Sequence, residues 1–176
     1  MRVIAGTLGG RQFNAPRGHH THPMSDKVRG ALFNALGDIA GLTVLDAFAG
    51  SGALSIEALS RGASHATAID SEKAAQQAIS QSIRSLNLAS RTKLIKATAN
   101  AWLSTTDESF DIVLLDPPYD DIQPNLLLKL VERTKPGGIV VLSLPPQAGF
   151  KLPGNFELLV SKNYGDAGLA FYRRQA

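Results

Sequence analysis

The amino-acid sequence predicts an α/β fold: a doubly wound, mostly parallel sheet whose last strands form an antiparallel hairpin, preceded by a short N-terminal β-hairpin and helix. Three observations predict it. From residue 43 onward, short apolar runs alternate with helical segments. Strands separated by helices of this length form right-handed crossovers and assemble a parallel sheet covered on both faces. The last two strand segments, 156 to 162 and 168 to 174, are separated only by Asn163 to Ala167, too few residues for a crossover, so they pair antiparallel. Finally, 176 residues with 44% hydrophobic content can bury one substantial core and are too few for two ordinary domains.

Taken in order, residues 1 to 15 read as two short strands, Arg2 to Ala5 and Arg11 to Ala15, broken by Gly6, Gly9 and Gly10 at a tight turn. Pro16 to Pro23 is a loop. Ser25 caps a helix that carries Val28, Ala31, Leu32, Ala35 and Leu36 at helical spacing, and Gly37 stops it. Strands follow at 43–47, 65–70, 92–97, 111–115 and 138–144. Helices follow at 53–61, 72–87 and 123–134, with only a short turn near Ala101 to Leu103 after the third strand. Residues 1–37 are thus an N-terminal extension of a single domain whose body is residues 38–176. Trp102 and Phe33 fall on apolar faces and belong to the core, whereas Lys93 and Lys96 are solvated strand charges.

Composition narrows the chemistry. The absence of cysteine excludes a disulfide framework, a thiolate metal site and a cysteine nucleophile, and it fits a reducing compartment. No charged-then-apolar leader opens the sequence, and no apolar run approaches the roughly 20 residues of a spanning helix, so a soluble cytoplasmic protein with no membrane partner is expected. The net charge of +3 is unevenly placed. Residues 1 to 37 hold five cations against one acid, while the remaining 139 residues hold 13 basic against 14 acidic side chains. A basic leading segment on a near-neutral body points to a polyanion contact at one end, with Arg11, Arg17 and Arg29 as the candidate contacts. His19, His20 and His22 lie close together but have no carboxylate or fourth ligand at helical or strand spacing. No metal site is expected there; they read as a partly cationic loop near phosphate.

The first chemically loaded stretch is Val44-Leu45-Asp46-Ala47-Phe48-Ala49-Gly50-Ser51-Gly52-Ala53-Leu54. A strand ends in a glycine turn where a helix begins, so backbone can approach a ligand at the carboxyl edge of the sheet. The glycines lack the full GxGxxG spacing of a pyrophosphate turn. Asp46 would moreover repel a diphosphate and attract an amino acid's ammonium group. The second strand ends in Asp70, whose carboxylate can accept both ribose hydroxyls of a nucleoside or cap the helix that starts near Glu72. Company with Asp46 and the glycine turn favours the ligand. Asn100, after the third strand, can read an adenine edge.

The fourth strand runs Val113-Leu114-Leu115 into Asp116-Pro117-Pro118-Tyr119. In this fold the first and fourth strands are neighbours, which sets Asp116 beside the glycine turn. Pro117 has no amide hydrogen, and Pro118 drives it out of the helical region, giving a stiff extended corner. Such a corner presents the Asp116 carboxylate and the Pro117 carbonyl as two acceptors, with the Tyr119 ring as a flat surface for a base. An exocyclic amino group needs that arrangement. Its lone pair is delocalised into the ring until its hydrogens are held by acceptors placed before the reaction, and the base must leave its stack to reach them.

A parallel doubly wound sheet with a terminal antiparallel hairpin resembles the class I, Rossmann-like fold of S-adenosylmethionine-dependent methyltransferases. Asp116-Pro117-Pro118-Tyr119 matches the motif of the amino-directed members. Asp46 to Leu54 and Glu57-Ala58-Leu59-Ser60-Arg61-Gly62-Ala63 closely resemble the RsmD-type bacterial ribosomal RNA (guanine-N2) methyltransferases. So do Arg2 to Gly6 with Gly10-Arg11, and Asp26-Lys27-Val28-Arg29 with Ala31 to Asn34. The resemblance covers nearly the whole chain. It implies methylation of a guanine N2 amino group in 16S, small-subunit ribosomal RNA, free or in an assembling 30S particle, by a monomer using S-adenosylmethionine. Residue by residue, it implies that Asp116, Pro117, Pro118 and Tyr119 hold and stack the guanine. Asp46, Ala47, Phe48, Gly50, Ser51 and Gly52 would hold the methionine part, Asp70 the ribose, and Asn100 with Ala101 the adenine. Where that family has Arg-Pro-Thr and a Glu after the matched arginine, this chain has His22-Pro23-Met24 and Gly30.

Two other readings compete. A DNA adenine or cytosine amino methyltransferase shares the chemistry, but reading a duplex normally takes an added domain, and only about 40 residues precede the core. A non-catalytic, cofactor-binding RNA-association module has no need of an intact Asp-Pro-Pro-Tyr.

Overall fold

The computed structural model describes residues 1–17 and 23–176; His19, His20 and His22, read above as a loop near phosphate, lie outside them. In chain order the elements are α1 (Asp26–Leu36), β1 (Thr43–Asp46), α2 (Ala53–Ser60), β2 (His65–Ile69), α3 (Lys73–Ser85), β3 (Thr92–Ile95), α4 (Ala99–Leu103), β4 (Phe110–Leu115), α5 (Pro124–Val131), β5 (Thr134–Leu144), β6 (Phe156–Tyr164) and β7 (Ala167–Arg174). The seven strands form one sheet in the order β3-β2-β1-β4-β5-β7-β6. Strands β1 to β5 pair in parallel, and β7 is antiparallel to both β5 and β6. This is the arrangement expected of the class I methyltransferase fold.

Both faces of the sheet are covered, and the alternation of each strand divides the core in two. On one face Val44, Ala66, Ala68, Ile112, Leu114 and Val141 pack under α1, α2 and α3; on the other, Leu45, Ile69, Val113, Leu115, Val140 and Leu142 pack under α4 and α5. Trp102 and Phe33 are buried as expected, and Lys93 and Lys96 are exposed. Truncating a fully buried leucine such as Leu127 or Leu130 to alanine costs about 2–5 kcal/mol in such a core. Among the described residues, no helix is long and apolar enough to cross a membrane.

The leading segment differs from the expected pair of strands. Its hairpin contact is a single bridge between Arg2 and Gln12, with Val3 N bonded to the Arg11 carbonyl and Phe13 N to the Met1 carbonyl. The intervening amides are spent on α2. Ile4 N and Ala5 N donate to the Glu57 carboxylate at 2.9 and 3.1 Å, and Leu8 N donates to Ser60 Oγ at 2.9 Å. Val3 and Phe13 join the same cluster as α1, α2 and α3, so the extension shares the core of the domain body. In α1, Ser25 caps the helix by accepting from Val28 N at 3.2 Å, and Gly37 ends it with φ of 75°.

Three other boundaries move. Helix α5 stops at Val131 because Arg133 is pulled out of it: its guanidinium donates to the Leu103 and Thr106 carbonyls, and its own carbonyl accepts from Phe110 N. Strand β5 therefore starts at Thr134, opposite Phe110, and re-enters register at Ile139 across a bulge. The terminal hairpin is tighter than expected, since Tyr164 pairs with Ala167 around a two-residue turn. Gly165, with φ of 60°, holds the first turn position of type II′.

Candidate functional site

Strand order brings the carboxyl ends of β1 and β4 together. Asp46 is paired with Leu114 in the parallel register, which leaves Asp116 two residues further along β4 on the Leu114 face. Val141 on β5 also pairs with Leu114, so Ser143 stands at the level of Asp116 on that same face. Asp46, Asp116 and Ser143 thus share one face at one end of three adjacent strands, with Asp70 at the end of β2 beyond them.

The turn after β1 is tied to both neighbouring strands. Ala47 N donates to the Leu114 carbonyl at 3.3 Å and Ala49 N to the Ile69 carbonyl at 2.9 Å. Gly50 and Gly52 take φ of 58° and 80°, which only glycine adopts freely. A Cβ on Gly52 would meet Ile79 Cγ1 at 3.1 Å, whereas one on Gly50 would meet nothing within 4 Å, so the turn is packed on its inner side and open at Gly50. Ala47, Ser51 and Gly52 are buried and Phe48 is half-buried.

Asp46 is wholly buried, which corrects the expectation of direct contact with a ligand ammonium. One oxygen accepts from Ser55 N at 3.2 Å and Ser55 Oγ at 2.7 Å, while Oδ1 is buried without a hydrogen-bond partner. The same bonds place a carboxylate at the N-terminus of α2. Ala53 N is taken by Ser51 Oγ at 3.2 Å and Ile56 N by the Gly52 carbonyl. The position a phosphate would occupy is filled, in keeping with the missing GxGxxG spacing. Burial raises the Asp46 carboxyl to about 7, opposed by the Ser55 bonds and reinforced by the charges of Asp116 and Asp70.

Asp70 does not cap α3, whose N-cap is Glu72, but braces the loop that leads into it. Oδ1 accepts from Glu72 N and Oδ2 from Gly50 N, both at 2.8 Å, so the carboxylate bolts the glycine turn to the end of β2. Burial raises its pKa, against the pull of those two amides. Each oxygen retains a lone pair for a further donor.

At the Asp116 corner, Pro117 is buried while Pro118 and Tyr119 are exposed, the latter by 39%. Asp121 N closes a turn onto the Pro118 carbonyl at 3.1 Å. Tyr119 Oη lies 3.1 Å from Ser143 Oγ. Burial raises the Asp116 carboxyl to about 6, against a hydrogen bond from the Ser143 side chain. Tyr119 is also raised, first by burial and then by the charges of Asp116 and Asp166, against the Ser143 bond.

Asn100 and Ala101 are exposed on α4, where they line a groove of about 580 Å³ with Leu103, Ser104, Lys129, Glu132 and Arg133; none of its lining residues comes from the Asp46 turn or the Asp116 corner. Arg11 and Arg17 are exposed, Arg11 donating to the Ser85 carbonyl at 3.2 Å. Arg29 corrects the expectation of an RNA contact. It is 0% exposed and pairs with Asp26 at 3.1 Å and Glu57 at 3.7 Å, while its guanidinium donates to the Arg2 carbonyl at 2.7 Å. Sequence reasoning missed Ser55, Glu57 and Ser143. The only sign of Ser143 is one hydroxyl in the apolar run Val140-Val141-Leu142-Ser143-Leu144.

The family model described as "Conserved hypothetical protein 95" matches residues 1–173. Ribosomal RNA small subunit methyltransferase D of Escherichia coli is 30% identical over 184 residues, covering 100% of this chain and 91% of that protein. The protein of the same name from Haemophilus influenzae is 29% identical over 180 residues, covering 98% and 93%. The solved structure of Escherichia coli yhhF superposes with a TM-score of 0.90 at 31% identity, covering 100% of this chain and 98% of the other. Sequence and fold therefore agree, and the chain belongs to the family of the ribosomal RNA small subunit methyltransferase D proteins.

Proposed function

We propose that this chain is a ribosomal RNA methyltransferase that places a methyl group on the exocyclic N2 amino group of a guanine in 16S, small-subunit RNA. S-adenosylmethionine is the donor. The observation that carries the reading is Asp116, with Pro117 and Tyr119, standing at the carboxyl end of β4 next to the glycine turn of β1. The names of the relatives support ribosomal RNA as substrate.

The residues fit such a donor. Asp46, Asp70 and Asp116 stand at one end of the sheet, and Asp46 feels the charge of both others, a setting that attracts a sulfonium and an ammonium and repels phosphates. The open outer side at Gly50 leaves room for the amino-acid portion, and the remaining lone pairs of Asp70 suit ribose hydroxyls. Once bound, the donor supplies an electrophilic methyl on sulfur, which leaves as the neutral thioether.

The chain's own contribution is to aim the nucleophile. The Tyr119 ring offers a face on which the flipped guanine stacks. The Asp116 carboxylate and the Pro117 carbonyl accept the two N2 hydrogens, which localises the nitrogen lone pair toward the methyl. As the N–C bond forms, a proton is lost from N2, and the Asp116 carboxyl, at about 6, is poised to take it near neutral pH. The protein acts as a cytoplasmic monomer, on free RNA or on an assembling 30S particle.

Labelled S-adenosylmethionine offered with unmodified small-subunit RNA, free or protein-bound, and with DNA tests the reading. Label on N2-methylguanosine supports it, and Asp116→Ala should abolish transfer while retaining donor binding. Methyladenine or methylcytosine in DNA overturns it in favour of a DNA enzyme. Unchanged biological activity of Asp116→Ala overturns it in favour of an RNA-association module.

A further inference from the structure

We infer that Ser143, at the carboxyl end of β5, is a positioning residue that locks the base-stacking ring of Tyr119 to the acceptor carboxylate of Asp116. The inference rests on the methyl-transfer reading above and adds a third strand to its machinery. Ser143 is 3% exposed, faces the Asp116 side of the sheet, and lies 3.1 Å from Tyr119 Oη. A serine hydroxyl has one proton and two lone pairs. Asp116 stands level with it on the neighbouring strand and, ionised, can only accept, so the Ser143 hydroxyl proton is directed toward the carboxylate and the phenol proton of Tyr119 falls on a lone pair. The direction of both bonds is then set: Tyr119 to Ser143 to Asp116.

The consequence is geometric. Tyr119 follows two prolines, and its ring is 39% exposed, so packing alone fixes it weakly. The hydroxyl at its tip is anchored on a strand interior to the sheet, whose register with β4 runs from Ile112–Ile139 to Leu115–Leu142. The stacking plane and the acceptor are thereby held at one spacing before any base enters. The Ser143 hydroxyl also favours the ionised carboxylate, against burial, and Asp46 on the neighbouring strand is the acid whose own ionisation the Asp116 charge opposes. Asp166, in the β6–β7 turn, is the other charge facing Tyr119.

Wild type, Ser143→Ala, Tyr119→Phe and the double variant would be assayed for RNA methylation between pH 5 and 9, with donor affinity by calorimetry and folding by thermal melts. Ser143→Ala is expected to lower kcat by about ten- to a hundredfold at unchanged donor affinity, the range for losing a hydrogen bond to a charged group. The acidic limb of its kcat/KM profile should move to higher pH. Tyr119→Phe should add almost nothing in the Ser143→Ala background, because both remove one coupled unit. Ser143→Thr, which keeps the hydroxyl, should recover activity. An unmoved acidic limb, or fully additive losses, overturns the inference while leaving the methyl-transfer reading intact. If Ser143→Ala fails to fold, the acidic limb of Tyr119→Phe decides the same point. A wild type that methylates no guanine N2 overturns the function reading itself and this inference with it.

Discussion

Arg29 Nε stands 3.7 Å from Glu57 Oε1, with both side chains 1% exposed. Two charges buried together offset one another only if their remaining valences are filled, and here nearly all are, Arg29 Nε alone of the pair being buried without a hydrogen-bond partner. Glu57 also takes Ile4 N, Ala5 N and Arg61 Nε, the last at 2.8 Å, while Arg29 donates to Asp26 and to the Arg2 carbonyl. The pair fastens the leading segment and α1 to α2. Glu57→Ala leaves the buried Arg29 cation with the part-exposed Asp26 as its one counter-charge and frees two amides, and it is expected to cost about 3–5 kcal/mol. Urea unfolding measures it. A loss under 1 kcal/mol would mean that the segment is held by its apolar contacts alone.

Asp46 and Asp116 make stability and activity run in opposite directions with pH. Folded, both carboxyls sit above their ordinary value, at about 7 and about 6, so the native state holds its protons more tightly than the unfolded chain. That stability is fully present below about pH 4 and is lost as pH rises through 6 and 7. The ligand-free protein should therefore melt lower at pH 8 than at pH 5, whereas kcat/KM rises through about 6 as Asp116 ionises. Asp46→Asn should flatten the melting trend. A wild-type melting temperature that climbs between pH 5 and 8 contradicts the assignment.

Tyr119→Ala removes the stacking face while leaving Asp116 in place. The loss should be about 1–3 kcal/mol in RNA binding, the usual worth of one stacked base, with donor affinity unaltered. Filter binding with single-stranded RNA fragments, read beside Tyr119→Phe, separates the ring from the hydroxyl.

Of the three arginines picked out in the leading segment, only Arg11 and Arg17 are exposed to solvent. Replacing either with alanine should weaken RNA binding and reduce the magnitude of the salt-dependence slope by about 1. Arg29→Ala should leave that slope unchanged and lower stability instead. Titrations at several salt concentrations distinguish the two behaviours, and equal slopes for wild type and Arg11→Ala with Arg17→Ala would remove the leading segment from the RNA contact.

The parallel sheet was legible because each strand is a short apolar run ended by a polar or glycine signal, and the length between runs dictates crossover or hairpin. Asp46 and Asp116 were legible as neighbours because strand order follows from that topology. Local propensity could not show what depends on distant partners. Arg29 reads as a surface cation until Glu57, 28 positions on, is folded against it. Thr134 to Gly137 read as the end of a helix and a loop, since Pro136 and Gly137 are turn residues. They join β5 only because Phe110 pairs with Thr134 and because backbone lies close to Gly138, where a Cβ would meet the Asp111 carbonyl at 2.7 Å. Asp46 looked like a ligand-facing acid because nothing in the local pattern says that Ser55 reaches back to it.

Strand β7, second from the edge although it comes after β6 in the chain, imposes an order of assembly on the growing chain. Residues 134–144 leave the ribosome with one flank of β5 bare and remain so until 167–174 emerge to zip against it. During that interval the apolar ladder Val140, Val141 and Leu142 is a template for any extended segment nearby. Deleting 167–174 would accordingly split β6 from the rest of the sheet instead of trimming a tail.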